Sequence, residues 1–487
     1  MLNRLLMISC ALLVTACTQL PEDTHTPPPD RMEWLAGDHH VHSQYSVGWR
    51  FKGESSAVSP PLARIGGDAI YPIGQNAEMA RAHGLDWMVT TDHGGPFHSQ
   101  IHYEQAYPDV LDVREAMPDF FLFYGMEFDT PGADHATLIM PHSPLEADHL
   151  FDLESRYNKR EPFPAYPEAD QDPRMNAAVA AMAALDPAPV LIVNHPSRSM
   201  VNGAYGKVSP EKMRRWHDIA PDIVVGMEGA PGHQARAVRP DGQLEPTAPR
   251  GGYEDVPTYG GFDPMTAQIG GVWDAFLSEG RRWWVTATSD MHVHWTHGGD
   301  EFWPGEYSKT YVLAERSYAS LLEGIRLGRM FAVTGDLISG VRLEAESTAG
   351  RRPVVPGETL TIRPGSNVTL AFSLREPEGP NFNGDHPEVQ RVDVIVGEVT
   401  GPASDPNADA APNSRIEARL YRDDFEISAD GWLTASITLP RVASGKYIRL
   451  RGTNNRDHEP GADPAGDDPW ADLWFYTNPI FISMEEE

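Results

Sequence analysis

Short apolar segments alternate with helix-like segments from Trp34 to about Asp336, and this pattern limits the folds open to the chain. Three apolar segments each follow a helix-like stretch: Trp87 to Val89, Val190 to Val193 and Trp284 to Thr288. Repeated helix-then-strand units predict a parallel sheet with helices packed outside it. We therefore expect an α/β fold over residues 34–337, with the sheet closed into a barrel.

The pattern changes near Ile338, where apolar residues begin to recur at every second position. V-T-L-A-F-S-L, Val368 to Leu374, is the clearest example, and proline- and glycine-rich turns separate the later segments. This alternation is typical of antiparallel sheets with one buried face. We predict a C-terminal β-sandwich over residues 338–487.

The N-terminal residues resemble an export signal. M-L-N-R-L-L-M-I-S-C-A-L-L-V-T-A-C has a basic start and an apolar run too short to span a bilayer as a mature helix. The small residues before Cys17 resemble a bacterial lipobox, and an ordinary signal peptidase site near Ala16 is the alternative. We predict a lipoprotein signal over residues 1–17 and an extended tether over 18–33. Thr18 favours the outer membrane, so we expect a periplasm-facing protein whose membrane attachment is a lipid at Cys17.

Charge and cysteine content exclude several classes of protein. The formal net charge of −31 argues against binding to a nucleic-acid backbone. The two cysteines, Cys10 and Cys17, both lie in the predicted signal. The mature chain therefore has no disulfide, no cysteine nucleophile and no cysteine ligand for zinc.

Histidine and carboxylate residues directly follow several of the apolar segments. If Asp38 to His42 forms a strand, His40 and His42 point to the same face. The carboxyl ends of parallel strands meet at one rim of a barrel, where active sites assemble. The candidate metal ligands, from five separate segments, are His40, His42, Asp92, His93, Glu127, His135, His195, Asp290 and His292.

A single histidine after a strand is more often a hydrogen-bonded structural residue than a metal ligand. Five segments that each place a ligand-type residue beyond a strand make a chance arrangement improbable. Imidazole combined with carboxylate suits Zn, Mn or Fe. The candidate ligands exceed what one tetrahedral ion needs, so we predict two or three divalent ions with Glu127 as the bridging carboxylate.

The order of these motifs resembles the PHP (polymerase and histidinol phosphatase) superfamily. The motifs are H-x-H, T-D-H, G-x-E with a following D-H, N-H-P and S-D-x-H. The resemblance covers roughly residues 34–336 and looks closest to a branch of exported metallohydrolases similar to carbaryl hydrolase. W-F-Y-T-N-P-I-F, Trp474 to Phe481, is similar to the tail of that branch. The resemblance implies a distorted (β/α)7 TIM-like barrel, followed here by the small antiparallel β-sandwich, and metal-dependent ester hydrolysis.

The resemblance also implies a division of the ligands among ions. One ion would be held by His40, His42, Glu127 and Asp290. A second would be held by His93 and His292, with Asp92 as a ligand or its supporting partner. A third would be held by Glu127, His135 and His195. Asp38 would orient His40 or His42 from behind.

One departure from the family pattern concerns the second ion. Many relatives carry an aspartate in S-D-G shortly after H-x-H, whereas this chain reads Ser46-Val47-Gly48. Either the second ion is weakly held, or another residue such as Asp68 replaces that ligand.

The predicted mechanism uses a metal-activated hydroxide that attacks phosphorus in line. Asp290 and His292 are the predicted catalytic residues at the metal. Arg198 is predicted to contact a non-bridging phosphoryl oxygen, with a surface salt bridge as its alternative role. His294 is predicted to protonate the leaving group. Further candidates are Lys207, His233 and Glu228, and for Glu228 a structural hydrogen bond is the favoured role.

The expected function is hydrolysis of small phosphodiesters, together with phosphomonoesters. A carbamate or carboxylic ester hydrolase using the same metal site is the first alternative. A non-catalytic binding lipoprotein is the second, and buried charged ligands argue against it because their burial is costly. The sequence leaves the physiological substrate, the metal and the oligomeric state open.

Overall fold

The computed structural model describes residues 31–50, 62–253, 255–347, 352–456 and 459–485. The predicted signal with Cys17, and residues 18–30 of the predicted tether, lie outside this part of the chain. Glu33, the last residue of that tether, already begins the first strand. In the part of the chain that the structure describes, no helix has both the length and the apolar character needed to cross a membrane.

Strands and helices alternate in the first two thirds of the described chain. The strands are β1 Glu33–Val41, β2 Gly48–Arg50, β3 Leu62–Arg64, β4 Trp87–Thr90, β5 Phe121–Asp129, β6 His135–Ile139, β7 Val190–Val193, β8 Val224–Ala230, β9 Trp284–Ala287, β10 Ser308–Ala314 and β11 Met330–Thr334. The helices are α1 Ile73–Ala82, α2 Ser99–Ile101, α3 Tyr107–Ala116, α4 Glu146–Tyr157, α5 Gln171–Ala183, α6 Pro210–Ile219, α7 Pro264–Ala267, α8 Val272–Ser278 and α9 Tyr318–Arg326. A π-helix, His102–Ala106, joins α2 to α3.

The predicted helix–strand pairs are confirmed at three places in the chain: α1 before β4, α5 before β7 and α8 before β9. Gly84 follows α1 with a φ of 79°, a left-handed conformation that glycine adopts without a Cβ penalty and that ends the helix. The apolar residues of β4, β7 and β9 are all buried, as expected of strands covered on both faces.

The large sheet is mixed rather than uniformly parallel. Its strands run in the order β10-β1-β4-β5-β6-β7-β8-β9. Four neighbouring pairs are parallel, β1/β4, β4/β5, β7/β8 and β8/β9, whereas β1/β10, β5/β6 and β6/β7 are antiparallel. The sheet curls, so that β9 returns towards β10: Ala287 N donates a hydrogen bond to Thr310 Oγ1 at 2.8 Å.

The general prediction of an α/β fold is confirmed, but a regular (β/α)7 barrel is not supported. The connection from β5 to β6 is a tight turn in which Thr130 N donates to Asp134 O at 3.0 Å. Five residues cannot hold a crossover helix, so β6 runs back beside β5 as a hairpin. The D-T-P-G-A-D segment forms this turn, and a hairpin was not predicted there.

A close contact between β1 and β4 fixes the strand that carries the H-x-H motif. Gly37 faces the indole ring of Trp87, and a Cβ at Gly37 would lie 2.0 Å from Trp87 Cε2. Trp87 is fully buried, and its Nε1 donates to Leu35 O at 3.1 Å. Because this hydrogen bond ties the Trp87 ring to the backbone of β1, the ring cannot move aside for a larger residue at position 37.

We expect Gly37→Ala to lower the free energy of unfolding by about 1–3 kcal/mol, the usual cost of overpacking a core. Urea denaturation of the purified protein measures this change. Gly379→Ala is the matched control, because no atom lies within 4 Å of a Cβ built there. Equal stabilities of the two variants would contradict the proposed role of the contact.

The C-terminal part of the described chain is built from strands. They are β12 Gly340–Ser347, β13 Thr359–Ile362, β14 Ser366–Arg375, β15 Arg391–Glu398, β16 Arg415–Tyr421, β17 Glu426–Ile427, β18 Trp432–Val442, β19 Lys446–Thr453, β20 Trp474–Thr477 and β21 Ile480–Met484. A second, antiparallel sheet has the order β12-β14-β18-β17. Val368, Leu370, Phe372 and Leu374 of β14 are all buried, which confirms the predicted alternation.

The remaining C-terminal strands continue the large sheet across the predicted domain boundary. β20 pairs antiparallel with β11, β19 pairs with β20, and both β15 and β21 pair with β19. Asn478, between β20 and β21, also reaches β9: its Oδ1 accepts from Val285 N at 2.9 Å, and its Nδ2 donates to Val285 O at 3.3 Å. The segment Trp474 to Phe481 therefore completes the curled sheet.

A buried ion pair also joins the two parts. Arg449 of β19 donates to both carboxylate oxygens of Asp274 in α8, at 3.0 and 2.9 Å, and both side chains are fully buried. The guanidinium carbon of Arg449 lies 4.3 Å from the centre of the Trp273 ring. The pair thus bridges helix and strand in a setting from which water is excluded.

Candidate metal centre

The candidate centre forms where several strands of the large sheet end. His40 and His42 lie at the end of β1, and His93 and His195 follow β4 and β7. Glu127 lies near the end of β5, and His135 begins β6 in the same hairpin. The segment after β9 lies beside the end of β1, because His42 N donates a hydrogen bond to Met291 O at 2.9 Å. That contact places Asp290 and His292, on either side of Met291, beside the H-x-H motif.

Glu127 is the centre of the cluster. Its Oε1 lies 3.3 Å from His40 Nε2, 3.1 Å from His135 Nδ1 and 2.9 Å from His195 Nε2. Its Oε2 lies 3.3 Å from His42 Nε2 and 2.9 Å from His93 Nε2. The carboxylate is buried, so one acidic side chain in the protein interior contacts five imidazoles.

A first group of possible ligands combines His40, His42, Glu127 and Asp290. The two imidazole Nε2 atoms are 3.0 Å apart. Asp290 Oδ1 lies 3.0 Å from His40 Nε2 and 3.3 Å from His42 Nε2. These are the four residues expected to share one ion.

A second group combines His42, Asp68, His93 and His292. Asp68 Oδ2 lies 3.5 Å from His292 Nε2, and the ring of His292 stacks on that of His42 at 3.8 Å between centroids. Ser46 Oγ donates to Asp68 Oδ2 at 2.5 Å. Asp68, which the sequence offered as a replacement ligand for the second ion, therefore lies among the donor atoms of this group.

Two further groups extend the cluster towards β6 and β7. They are His93 with Glu127 and His135, and Asp134 with His135 and His195. Several residues belong to two groups, and an imidazole offers one nitrogen to one ion at a time. The groups are therefore alternative or adjoining positions, and the buried cluster could hold metal ions without all four positions being filled.

The spacing of the donor atoms fits a metal ion. Ligand atoms about 2.1 Å from a common four- or six-coordinate ion lie about 3.0–3.4 Å from one another. The first group shows separations of 3.0 to 3.3 Å. Asp290 Oδ1 is buried and makes no hydrogen bond of acceptable geometry, although two imidazole nitrogens lie beside it. A buried carboxylate oxygen in this state is accounted for by a cation bound among these atoms.

Hydrogen bonds behind the rings orient the imidazoles. His40 Nδ1 donates to Glu228 Oε1 at 2.6 Å, and His42 Nδ1 donates to Ser46 Oγ at 3.1 Å. Both rings therefore present Nε2 to the cluster. Partners of this kind fix the tautomer of a metal-binding histidine.

Asp38 has a different role from the one predicted. Its Oδ1 accepts from the backbone N of His40 and its Oδ2 from the backbone N of Ser289, both at 2.9 Å. It therefore ties the end of β1 to the segment after β9 and orients neither imidazole ring. Burial raises the pKa of Asp38 to about 7, although these hydrogen bonds oppose the shift.

The electrostatics of the cluster favour ionised carboxylates. Burial opposes ionisation of Glu127, but the neighbouring imidazoles of His135, His93 and His40 outweigh it and hold its pKa well below the usual value. Burial also opposes ionisation of Asp290, whose pKa His40 and His233 hold well below its usual range. Both carboxylates are therefore available as anionic ligands at neutral pH.

Two predicted residues are not brought into these groups. Asp92 accepts from the backbone N and the Oγ of Ser43, at 2.5 and 2.7 Å, and it supports the segment after β1 rather than facing the donor atoms. His294 Nε2 lies 2.8 Å from Glu306 Oε2, and its ring stacks on Trp303. These contacts hold His294 away from the donor groups, so the structure does not place it at the cluster as predicted.

Arg198 lies at the edge of the cluster. Its NH2 group is 3.0 Å from His135 Nδ1 and 3.2 Å from Asp134 Oδ2, and its side chain is 31% exposed. Lys207 reaches Asp134 Oδ1 at 3.2 Å from the same side. Arg160 contacts Asp129 Oδ1 at 2.9 Å. These three cations form a positive rim on a protein that is strongly acidic as a whole.

Asp134 and Arg160 were not predicted as parts of the site, and His233 was given only a minor role. The structural hydrogen bond predicted for Glu228 is present, with His40 Nδ1 and with the backbone N of His195. Asp134 was visible in the D-H pair before β6. Glu228 was visible as a carboxylate within an apolar strand, where burial without a partner would be costly. Arg160 lies in an irregular segment after α4, and no local pattern marks it.

The comparisons with known proteins give no family for this chain. No family model matches it, and no curated protein matches it. Among solved structures, a crystal structure of a chitin binding domain from Burkholderia pseudomallei is similar to part of it, at 12% identity and a TM-score of 0.15. The match covers 26% of this chain and 56% of that domain. At so low a TM-score the likeness supports no conclusion about this chain.

Proposed function

We propose that this protein is a metal-dependent phosphoric ester hydrolase that cleaves small phosphodiesters and, with them, phosphomonoesters. The observation that carries the proposal is the single buried carboxylate, Glu127, in contact with five imidazoles. One ion does not need so many donors, whereas neighbouring ions that share a carboxylate do. Zn, Mn and Fe suit this mixture of nitrogen and oxygen donors.

Each donor group would supply the ligands for one ion. His40, His42, Glu127 and Asp290 would hold one ion, and Asp68, His93 and His292 would hold the next. When bound, such ions lower the pKa of a coordinated water towards neutrality and withdraw charge from the phosphoryl oxygens. The chain supplies the buried carboxylates that keep the ions in place and the supporting partners that fix each ring.

The positive rim would bind the anionic substrate. A formal net charge of −31 repels a phosphoester, so attraction must come from local groups. Arg198 is 31% exposed and next to His135, which places a guanidinium within reach of an anion at the cluster. Planar guanidinium groups bind phosphoryl oxygens in pairs, which would also orient the ester.

The family resemblance also implies a fold for the protein. We infer that the curled mixed sheet is an irregular relative of the seven-stranded barrel, in which the β5–β6 hairpin stands in place of a helical crossover. The β12-β14-β18-β17 sheet, with one buried face, would form one layer of a β-sandwich against the C-terminal strands of the large sheet. Determination of an experimental structure would test both statements, and a flat open sheet would contradict the first.

Metal analysis and hydrolysis assays test the function. We expect purified protein to contain two or more equivalents of Mn, Zn or Fe and to hydrolyse bis(p-nitrophenyl) phosphate in a chelator-sensitive manner. His195→Ala should lower this rate by more than about 10-fold, because loss of even an outer partner costs about that much. His386→Ala, at an exposed histidine outside the cluster, should leave it unchanged.

The choice of substrates distinguishes the alternatives. The same assays are run on p-nitrophenyl phosphate, an aryl carbamate and p-nitrophenyl acetate. Bound metal with turnover of the carbamate or acetate alone would replace the proposal by carbamate or carboxylic ester hydrolysis. Bound metal with no turnover of any substrate would favour a binding protein, and absence of metal would refute the metal centre itself.

A further inference from the structure

A chain of three side chains leads from the cluster to the loop after β9. Asp290 Oδ2 lies 2.5 Å from His233 Nε2, and His233 Nδ1 lies 3.0 Å from Glu301 Oε1. Glu301 is itself fixed, because its Oε2 accepts from the backbone N of Val293 at 3.1 Å and of Asp300 at 3.2 Å. The imidazole of His233 is thus held between two carboxylates.

The backbone around His233 is built for this contact. His233 has a φ of 65° and Asp290 a φ of 49°, both in the left-handed region that residues other than glycine rarely adopt. Gly252 lies against His233, and a Cβ on Gly252 would come within 2.4 Å of His233 Cβ. Backbone strain of this kind persists where the surrounding structure over-determines it. The loop therefore fixes the position of the ring.

The contact with His233 gives the two carboxylate oxygens of Asp290 different partners. Oδ2 is occupied by His233, whereas Oδ1 faces His40 Nε2 and His42 Nε2 at 3.0 and 3.3 Å. Without the imidazole, the carboxylate could turn about its Cβ–Cγ bond and present either oxygen. Rotation would then compete with the arrangement that the first donor group requires.

We propose that His233, supported by Glu301, is a positioning residue that fixes Asp290 as a one-oxygen ligand of the first donor group. The inference rests on the proposed metal centre, and it adds two residues that none of the chain's metal-binding motifs contains. His233 lies after β8, and Glu301 lies in the segment between β9 and β10. We therefore expect His233 and Glu301 to affect the affinity for metal, and to affect the rate of hydrolysis only through the amount of bound metal.

Metal affinity, measured by competition with a coloured zinc chelator, tests the proposal independently of hydrolysis. We expect His233→Ala and Glu301→Gln to weaken zinc binding at one site by about 10- to 100-fold, the usual effect of losing a partner behind a ligand. His233→Gln should restore part of the affinity, because its amide can still donate to Asp290 Oδ2. The melting temperature of the zinc-free protein should be the same in all variants.

Glu306→Gln is the matched control, because Glu306 also accepts from an imidazole, His294, yet contacts no residue of the donor groups. Wild-type zinc affinity in His233→Ala would overturn the proposal. An equal loss in Glu306→Gln and Glu301→Gln, or a lower zinc-free melting temperature without rescue by His233→Gln, would also overturn it, since either points to a structural role. A wild-type protein that binds zinc but hydrolyses nothing would refute the proposed function and leave this inference standing, whereas one that binds no metal would refute both.

Discussion

Glu127→Gln is expected to remove at least one equivalent of metal and to lower phosphodiester hydrolysis by more than about 100-fold. Loss of an outer partner alone costs about 10- to 100-fold in affinity or activity, and Glu127 lies in the centre of the cluster. The substitution keeps the shape of the side chain but removes the charge that two donor groups share. It also leaves five imidazoles around a neutral amide, which attracts a dication less strongly than the carboxylate does.

Metal stoichiometry and the rate on bis(p-nitrophenyl) phosphate are measured together for this variant. Glu154→Gln is the matched control, because Glu154 is also a fully buried carboxylate that contacts an imidazole, His102, at 2.8 Å. Glu154 belongs to none of the donor groups. A Glu127→Gln protein with full metal content and an unchanged rate would show that the shared carboxylate is not a ligand.

Asp274→Ala is expected to lower the free energy of unfolding by about 3–5 kcal/mol. Removing one partner of a buried ion pair leaves the other charge uncompensated in a medium of low polarity, which is the costly part of the change. Arg449 would keep its position over Trp273 but lose both carboxylate contacts. The backbone N of Gly270, which donates to Asp274 Oδ2 at 2.7 Å, would lose its acceptor as well.

Urea denaturation measures the effect, and two comparisons isolate the uncompensated charge. The double variant Asp274→Leu with Arg449→Met should recover much of the loss, since apolar replacement of a buried pair is often neutral. Asp152→Ala breaks an exposed pair with Arg156 and should cost at most about 1 kcal/mol. Equal losses in Asp274→Ala and Asp152→Ala would show that the buried pair has no special weight.

The parts of the site that lie next to strands could be predicted from the sequence. His40, His42, His93, His195 and Asp290 each lie in or directly after an apolar segment, and strand periodicity fixes the face on which the first two lie. These positions depend on local strand geometry, so the pattern of the sequence is sufficient to predict them.

The parts that depend on tertiary contacts could not be predicted in the same way. Asp68 reaches His292 from an insertion of irregular structure, so the prediction could only name it as a candidate. Asp92 was predicted as a ligand of the second ion or as a partner that supports one, and neighbouring residues of an extended segment face opposite sides. Its side chain therefore lies against Ser43.

The same limit applies to the fold. The buried strands β4, β7 and β9 followed from the hydrophobic pattern, but the directions of the strands in the sheet depended on connection length. The short turn between Thr130 and Asp134 turned an expected parallel neighbour into a hairpin. β12 and β14 alternate as predicted, but alternation does not say which sheet a strand joins, and β20, which is buried along its whole length, pairs with β11.

The continuation of the large sheet into β20 has a consequence for the order of events during folding. Thr334 and Trp474 are 140 residues apart in the sequence, yet Trp474 N donates a hydrogen bond to Thr334 Oγ1. Asn478 Oδ1 accepts a hydrogen bond from the backbone N of Val285 in β9. Until residues 474–478 have been synthesised, the strands that carry the histidines have an open edge on β11 and an unpaired backbone on β9. The part of the chain that carries the histidines can therefore reach its final form only as a late step of folding, once residues 474–478 have paired with it.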